Sequence, residues 1–374
     1  MSNNSSNPAA SPQSADSARV DAQAQLLDRA AGTLWGLAAG DALGMPTQCL
    51  SAEQIAEQYG RIGGFVAAND EQPIAPGMPA GSVTDDTEQA LLVAELTISG
   101  GGSVDVHELA QRLIDWEARM IARGSLDLLG PSTKAALTAL QQGVAPEMAG
   151  ADGSTNGAAM RIAPLGIAHP PGTQLIAAVQ RASLVTHNTN IGVSGAVAVA
   201  AVISELLSGQ QPTAALDSAV QLAEAAESCG NWVPGATVAA RFRLFRPIAA
   251  WVDAADFPDF LARTVGTSVQ SQESIVAALL LFERFADDPL LALSTAANAG
   301  GDTDTVGAIA GAMLGALHGT AVIPAESRRL LSEVNLTETG VGRIPELAAQ
   351  LAELRQRAQE QRGEVQRGEA GGVA

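Results

Sequence analysis

Aromatic residues, cysteines and basic side chains are all scarce in this sequence. Aromatic residues make up 3% of the chain, with a single tyrosine, and strict apolar alternation is nearly absent, so extended sheets are not expected. The two cysteines, Cys49 and Cys229, match no metal-binding or redox spacing. We interpret both as reduced thiols of the core and expect a cytoplasmic protein.

The charge balance excludes some partners. Asp and Glu number 40 against 21 Lys and Arg, which gives a net charge of −19. No basic field gathers phosphates, so binding of nucleic acid or of an anionic membrane surface by bulk electrostatics is not expected. A local phosphate or cation site remains compatible with this balance.

Long apolar runs are also missing. No run of 18 apolar residues occurs, although IGVSGAVAVAAVISELL comes close. The run is broken by SEL and has no cationic flanks, so we expect a buried core helix and not a membrane span.

The two ends differ in composition from the rest of the chain. Residues 1–20 are rich in Ser, Asn and Pro, without the features of a signal peptide. Residues 359–374 are rich in Gln, Arg, Glu and Gly. We therefore predict a disordered N-terminal tail over 1–20, a single domain over 21–358 and a flexible C-terminal tail over 359–374.

Helical periodicity dominates between the ends. Apolar residues recur every three or four positions in TEQALLVAELTI, DVHELAQRLIDWEARMI, GAVAVAAVISELLS and SIVAALLLFERFA. The fold class predicted from this pattern is all-α.

Two predicted helices carry glycine at every fourth position. The glycines stand at 32, 36, 40 and 44 and again at 307, 311, 315 and 319. Glycine inside a helix costs about 0.5–1 kcal/mol relative to alanine, so a row of four indicates a compensating gain from close packing. We expect these stripes to let helix backbones meet in the centre of the fold.

Acidic residues cluster with threonine at two helix starts. Thr84, Asp85 and Asp86 open one helix, and Asp302, Asp304 and Thr305 open the other. A single aspartate there is explained by capping and by the helix dipole. Four carboxylates brought together without a counter-charge would repel one another. Two hard divalent cations, Mg²⁺ or Mn²⁺, would resolve this conflict, because oxygen donors suit them and zinc prefers His and Cys.

The segment DTDTV at 302–306 allows a second interpretation. It matches the D-x-D-x-[T/V] loop of haloacid-dehalogenase-like phosphatases, but that loop follows a hydrophobic strand near the start of an α/β domain. Here the segment follows the small polar run AANAGG near the end of a helical chain. The context therefore favours the metal-site interpretation.

Five ordered blocks resemble one family. GLAAGDALGMPTQ, GSVTDDTEQALL, GSTNGAAMRIAPLG, THNTN and GGDTDTVGAIAGAMLGALHG are similar to the ADP-ribosylglycohydrolase family, which includes the dinitrogenase-reductase-activating glycohydrolases. The resemblance runs from about Leu27 to about Thr320. It implies a compact all-α domain with a central cleft that holds two Mg²⁺ or Mn²⁺ ions. It also implies cleavage of the bond between the anomeric carbon of ADP-ribose and a protein side chain or small molecule.

The resemblance assigns roles to particular residues. As metal ligands it implies Thr84, Asp85, Asp86, Asp302, Asp304 and Thr305. The block around Ser154, Asn156 and Gly157 corresponds to a loop that contacts phosphate and ribose, although Asn-Gly is also a common turn. His187 corresponds to a histidine near ribose or diphosphate, and we expect it on the ligand side. Arg161 is expected either near ligand or paired with a carboxylate inside the fold.

Two departures from the family pattern bear on the substrate. Gln48 stands where family members usually carry a glutamate, and an amide cannot act as a carboxylate base. The chain also has LLGPST at 128–133 in place of the D-I-G-x-T-like stretch of members that act on ADP-ribosyl-arginine. The pattern resembles a bacterial branch of the family whose substrate is uncertain. Small nucleoside-like glycosides are among the candidate substrates.

A reaction follows from these parts. Metals bound to ribose hydroxyls would fix the sugar, and a water activated at Asp85, Asp86, Asp302 and Asp304 would attack the anomeric carbon. Asp85, Asp86, Asp302 and Gln48 are therefore the predicted catalytic residues, with Gln48 as a positioning group. The alternative is a non-catalytic ADP-ribose-binding or crystallin-like structural member of the family; the intact ligand set speaks against it and Gln48 speaks for it.

Overall fold

The computed structural model describes residues 12–122, 124, 129–335 and 340–371. Within them the chain is built from α-helices, with short 3-10 helices at 45–47, 319–322 and 341–343 and a π-helix at Leu261–Val265. The only β pairing among the described residues is two isolated bridges, Thr155 with Gln270 and Thr189 with Asn231. The predicted all-α class is confirmed.

The helices follow one another along the chain, and the longest connection without a helix, residues 60–84, joins α2 to α3. They are α1 (Pro12–Gly44), α2 (Ala52–Tyr59), α3 (Asp85–Ser99), α4 (Val106–Ala122), α5 (Pro131–Gln141), α6 (Pro146–Ala149), α7 (Gly157–Met160), α8 (Ala163–Ala168), α9 (Thr173–His187), α10 (Asn190–Leu207), α11 (Pro212–Ala226), α12 (Val238–Ala249), α13 (Phe257–Phe260), α14 (Ser271–Arg284), α15 (Pro289–Ala299), α16 (Thr303–His318), α17 (Ala325–Val334) and α18 (Ile344–Gly371).

The helices at both ends of the described chain extend into the segments predicted as tails. Residues 1–11 and 372–374 of the predicted tails lie outside the described residues. Helix α1 begins at Pro12, inside the segment predicted as a tail, and α18 continues to Gly371, past the predicted limit at residue 358. The flexibility of the two ends stays a prediction.

Helix α10 forms the middle of the core. Every residue from Asn190 to Leu206 is buried, and the helix packs on α8, α9, α11, α14 and α16. Its start is fixed by Thr189, whose hydroxyl accepts a hydrogen bond from the amide of Gly192 at 3.0 Å. Two helical stretches, Asn190–Leu207 and Thr303–Val322, are long and apolar enough to span a membrane, but the structure buries 100% and 78% of them. The prediction of a core helix at α10 is confirmed.

The glycine stripes bring α1 and α16 into antiparallel backbone contact. A Cβ added to Gly36 would lie 2.0 Å from the carbonyl oxygen of Gly311, and one added to Gly40 would lie 1.9 Å from that of Gly307. At the end of the stripe, a Cβ on Gly44 would lie 2.3 Å from the amide nitrogen of Asp304. The predicted close packing is confirmed, and it places the last turn of α1 against the first turn of α16.

A methyl group added to this stripe should therefore destabilise the fold. We expect Gly36→Ala to lower the free energy of unfolding by about 1–3 kcal/mol or more, because overpacking must push two backbones apart, although alanine favours an isolated helix. Urea unfolding followed by circular dichroism measures the change.

Gly63→Ala is the matched control. A Cβ at Gly63 meets no atom within 4 Å, so this variant should unfold like the wild type. Equal stability of the two variants would show that α1 and α16 tolerate separation.

Candidate active site

Asp41, in the last turn of α1, organises the start of α3. Its carboxylate accepts hydrogen bonds from the Thr84 amide at 3.0 and 3.1 Å and from the Thr84 hydroxyl at 2.8 Å. The Thr87 amide and hydroxyl donate to it at 3.1 and 2.5 Å. These bonds fix the orientation of the two acids between them in sequence, Asp85 and Asp86.

Asp41 is a functional residue that the sequence analysis missed. An acid in the last turn of a helix lies at the negative end of the helix dipole and is unfavourable there. That mismatch is the signal in the sequence, since it requires a local set of donors to explain it. Burial raises the pKa of Asp41 to about 6, and the four donors from Thr84 and Thr87 oppose that rise.

The second acid group lies at the start of α16 and meets the first. Asp302 precedes the helix and Asp304 lies in its first turn, while the Thr305 hydroxyl donates to Asp86 Oδ2 at 3.2 Å. The Thr303 hydroxyl donates to the carbonyl of Gly44 at 2.9 Å. The structure thus brings together both predicted sets of metal-binding residues, because the end of α1 touches the starts of α3 and α16.

Burial and mutual repulsion perturb the acids of this cluster. Burial, followed by the charges of neighbouring aspartates, raises the pKa values of Asp85, Asp86 and Asp304 well above their ordinary range. Burial raises the pKa of Asp302 to about 6, and hydrogen bonds led by that from Asn156 oppose the rise. A group of buried acids that raise one another's pKa is a recognised mark of a functional site.

The donor set fits a hard divalent cation. Asp86 Oδ1 and Asp304 Oδ1 are buried and have no hydrogen-bond partner, and an unpaired buried carboxylate oxygen is costly without a proton or a cation. Carboxylate and hydroxyl oxygens are the donors that Mg²⁺ and Mn²⁺ prefer. Among the described residues, however, no three His, Cys, Asp or Glu side chains form a ready-made metal cluster. The metal assignment therefore rests on donor chemistry and on these two oxygens.

A cavity of about 260 Å³ opens over the acids. Of the predicted site residues, those that line it are Gln48, Asp85, Asn156, Gly157, Asp302, Asp304 and Thr305. The remaining lining residues are Cys49, Ile74, Leu129, Gly130, Pro131, Thr133, Met160 and Val269. An acidic floor and a largely apolar wall are thus combined in one site. Ile74, Leu129 and Val269 of that wall lie outside the helices, where no periodic pattern marks them in the sequence.

Cys49, Ser154 and His187 lie elsewhere than the sequence analysis expected. Cys49 is not a core thiol: it is exposed, lines the cavity and has a left-handed backbone with φ of 63°. Burial, together with the charges of Asp304 and Asp302, raises the pKa of its thiol to about 11, so it is a poor nucleophile at neutral pH. Ser154 is half-buried and does not line the cavity.

His187 lies behind the cavity wall. It is fully buried, and its two ring nitrogens lie 2.7 Å from the Thr186 hydroxyl and 2.9 Å from the Thr155 hydroxyl. Burial and the charge of Arg161 lower the pKa of His187 well below its ordinary value, so it is neutral. This geometry argues against the expected direct contact with ligand, and it supports an indirect role through Gly157, whose added Cβ would lie 2.7 Å from His187 Cε1.

Asn156 contacts an acid as well as the cavity. Its side-chain nitrogen donates to Asp302 Oδ2 at 2.5 Å and to Ser274 Oγ at 2.9 Å. The predicted ligand contact can therefore involve only its remaining oxygen, while the amide nitrogen holds Asp302 in place.

The DTDTV segment follows α15 through Gly300 and Gly301, both with positive φ. It does not follow a strand, and no sheet is formed by the described residues. The phosphatase-loop interpretation is therefore not supported by this structure.

Comparisons with known proteins agree with the all-α fold. The family model for ADP-ribosylglycohydrolase matches residues 22–361. The chain is 34% identical to the uncharacterized protein YegU of Escherichia coli (strain K12), over 82% of this chain and 93% of that protein. It is 30% identical to the ADP-ribosylarginine hydrolase Tri1 of Pseudomonas putida (strain GB-1), over 81% and 74%. A solved "ADP-ribosylglycohydrolase-related protein complex" superposes with a TM-score of 0.63 at 25% identity, over 88% of this chain and 99% of that one.

The chain therefore belongs to the ADP-ribosylglycohydrolase family, and the relationship supports a hydrolase.

The clustered acids predict an unusual pH dependence of stability. In the presence of EDTA, carboxyls with raised pKa values, among them Asp41 and Asp302 at about 6, bind protons in the native state at pH values where unfolded carboxyls with a pKa of about 4 do not. The native state then binds more protons, so their contribution to the free energy of unfolding increases as pH falls. His187 acts in the opposite direction, because it stays neutral when folded and gains a proton when unfolded below about pH 6.5.

A variant isolates the contribution of the acids. Asp86→Asn should flatten the rise in melting temperature on acidification, whereas the exposed Asp287→Asn should reproduce the wild-type profile. Identical profiles for Asp86→Asn and the wild type, measured by calorimetry from pH 8 to 5, would contradict the coupling of the acid cluster.

Proposed function

We propose that this protein is a metal-dependent hydrolase that cleaves the anomeric glycosidic bond of an ADP-ribosylated protein or of an ADP-ribose-containing or nucleoside-like small molecule. The observation that carries the proposal is the meeting of two acid-bearing helix starts at the floor of one cavity, with two buried carboxylate oxygens left unpaired. Membership of the family and the printed activity of the relative Tri1 support an ADP-ribosyl substrate.

Six residues would hold two divalent cations, Mg²⁺ or Mn²⁺. They are Thr84, Asp85, Asp86, Asp302, Asp304 and Thr305. Bound there, the ions would orient ribose hydroxyls and lower the pKa of a water near the anomeric carbon. The Thr84 hydroxyl donates its proton to Asp41 at 2.8 Å and accepts from the Asp86 amide at 3.4 Å, so one lone pair is left to face a cation.

The chain's own side chains supply orientation and proton handling. Asp302 lines the cavity with a pKa of about 6, which is close to the value at which a carboxyl exchanges protons efficiently near neutral pH. Ile74, Leu129 and Val269 line the same cavity and exclude water from one side of it. Exclusion of water strengthens the electrostatic interactions among the acids and a sugar with developing positive charge.

Gln48 contributes a hydrogen-bond donor to this site. Its side-chain nitrogen is buried, has no hydrogen-bond partner and belongs to a residue that lines the cavity. A buried unpaired amide costs about 1–3 kcal/mol, and a hydroxyl or carbonyl oxygen of a ligand would remove that cost. Gln48 is therefore proposed as a positioning group for substrate. Asp85, Asp86 and Asp302 are the proposed catalytic residues.

The non-catalytic alternative has a clear experimental signature. A panel of ADP-ribosylated protein, ADP-ribose derivatives and nucleosides, incubated with and without Mg²⁺ or Mn²⁺, tests turnover. ADP-ribose should bind more tightly than ribose or AMP if the Gly153–Gly157 loop contacts a diphosphate. Binding of ADP-ribose without turnover of any substrate would favour an ADP-ribose-binding protein or a structural member of the family.

Loss of one acid should remove metal and activity together. The wild type should be stabilised by Mn²⁺ or Mg²⁺, by about 2.7 kcal/mol at a hundredfold excess over Kd. Asp304→Asn removes the charge of a carboxylate with an unpaired oxygen and should abolish both the stabilisation and turnover, whereas Asp287→Asn should retain both. Titration calorimetry and melting curves measure the binding, and absence of wild-type binding at millimolar metal would overturn the metal assignment.

Substitutions of Gln48 should separate substrate positioning from metal binding. Gln48→Ala removes one hydrogen bond and should lower kcat/KM by about 2- to 13-fold, as expected for about 0.5–1.5 kcal/mol, with unchanged metal affinity. Gln48→Glu should keep metal binding and leave turnover equal or faster, since a carboxylate there can assist proton transfer. A loss of metal binding in Gln48→Ala would instead place this residue among the metal ligands.

A further inference from the structure

A continuous series of buried hydrogen bonds begins at Asp85. The side-chain nitrogen of Gln89 donates to Asp85 Oδ2 at 3.2 Å, and the Gln89 oxygen accepts from Arg161 Nη1 at 2.8 Å. The other terminal nitrogen of Arg161 donates to the Thr186 hydroxyl. Arg161 therefore joins α3, which carries the first acid group, to the end of α9.

The series continues from α9 to the loop that precedes α7. Thr186 contacts His187 Nδ1, and His187 Nε2 contacts the Thr155 hydroxyl at 2.9 Å. The next residue, Asn156, donates to Asp302 Oδ2 at 2.5 Å. The series thus runs from an acid at the start of α3 to an acid at the start of α16, and it passes through the loop at the edge of the cavity.

Arg161 is the only charged member between the two acids. It is 1% exposed, and no carboxylate among the described residues lies within ion-pair distance of it. Burial lowers the pKa of Arg161 to about 10, and the charge of Asp85 opposes that change. A buried charge with only neutral hydrogen-bond partners is not a gain in stability over an apolar side chain, so its presence calls for a different explanation.

The shape of the guanidinium supplies that explanation. Its terminal nitrogens point to two different elements in a fixed planar fork: Nη1 holds the side chain that orients Asp85, and Nη2 holds the hydroxyl that orients His187. A shift of either partner breaks a hydrogen bond inside a region from which water is excluded. The fork therefore sets the distance between the first acid group and the loop.

We propose that Arg161 is a positioning residue that holds the two acid groups at a fixed separation and couples metal binding at the acids to ligand binding at the Gly153–Gly157 loop. The coupling half of this inference rests on the proposed function. The positioning half concerns the protein alone and can be tested without metal.

Arg161→Lys is the decisive variant, and Arg355→Lys is its matched control. Arg355 is also fully buried; it donates to the His169 carbonyl at 2.7 Å and to Ser204 and Ser208. None of these residues lines the cavity. A lysine keeps the charge but cannot hold two partners with a planar fork. Arg355 makes more hydrogen bonds than Arg161, so the control loses at least as many, but only Arg161→Lys loses the link between the acid groups.

Metal affinity should separate the two variants. We expect Arg161→Lys to weaken Mn²⁺ binding by about 10- to 100-fold, the usual effect of removing an outer partner of a metal ligand. Arg355→Lys should lower the melting temperature and leave the affinity unchanged. Thr186→Val removes the hydroxyl that Arg161 and His187 share, and it should weaken Mn²⁺ binding in the same way. It provides the test if Arg161→Lys fails to fold. Wild-type Mn²⁺ affinity in both Arg161→Lys and Thr186→Val would overturn the coupling.

Hydrogen exchange tests the positioning without metal. In EDTA, amides of residues 84–89 and 153–157 should exchange faster in Arg161→Lys than in the wild type and should be unchanged in Arg355→Lys. Unaltered exchange in both segments would overturn the proposal. If the wild type binds no metal at millimolar concentration, the proposed function fails, and the exchange result still decides the role of Arg161.

Discussion

The backbone contact between α1 and α16 is the constraint on which the site depends. Helices that pack through side chains stand about 8–10 Å apart, whereas glycines at 36 and 311 place one backbone where a Cβ of the other would lie. Because the helices are antiparallel, the end of α1 meets the start of α16, and Asp41 and Asp304 come to the same place. A larger separation of the two helices would therefore move the two acid groups apart.

Within the part of the chain that the structure describes, the acid cluster is organised by uncharged donors and not by salt bridges. Asp41 accepts from backbone amides and threonine hydroxyls, and Asp302 accepts from Asn156. Such donors orient carboxylates without neutralising them, so the net negative charge of the floor is preserved. That charge lowers the stability of the protein alone, and it would favour binding of the proposed cations. Sites that lower stability for the sake of function are common.

The polar network behind the cavity wall extends this arrangement. His187 and Arg161 do not line the cavity. Arg161 is two hydrogen bonds away from Asp85, and His187 contacts Thr155, whose neighbour in the chain, Asn156, lines the cavity. In a water-excluded interior, loss of one partner leaves another group unsatisfied, so the members of such a network hold their positions together. The loop at 153–157 is held by hydrogen bonds to His187 at the end of α9, to Ser274 in α14 and to Asp302 before α16.

Local pattern in the sequence determined the helices, the glycine stripes, the two acid groups and the family resemblance, because periodicity and ordered motifs are properties of neighbouring residues. The role of Asp41, the exposed position of Cys49 and the burial of His187 were decided by tertiary structure. Each depends on which distant element supplies a hydrogen-bond donor or covers a side chain: Thr84 and Thr87 for Asp41, the open cavity for Cys49, and Thr155 and Thr186 for His187. Contacts between residues far apart in sequence leave no local signal, so only the folded chain shows them.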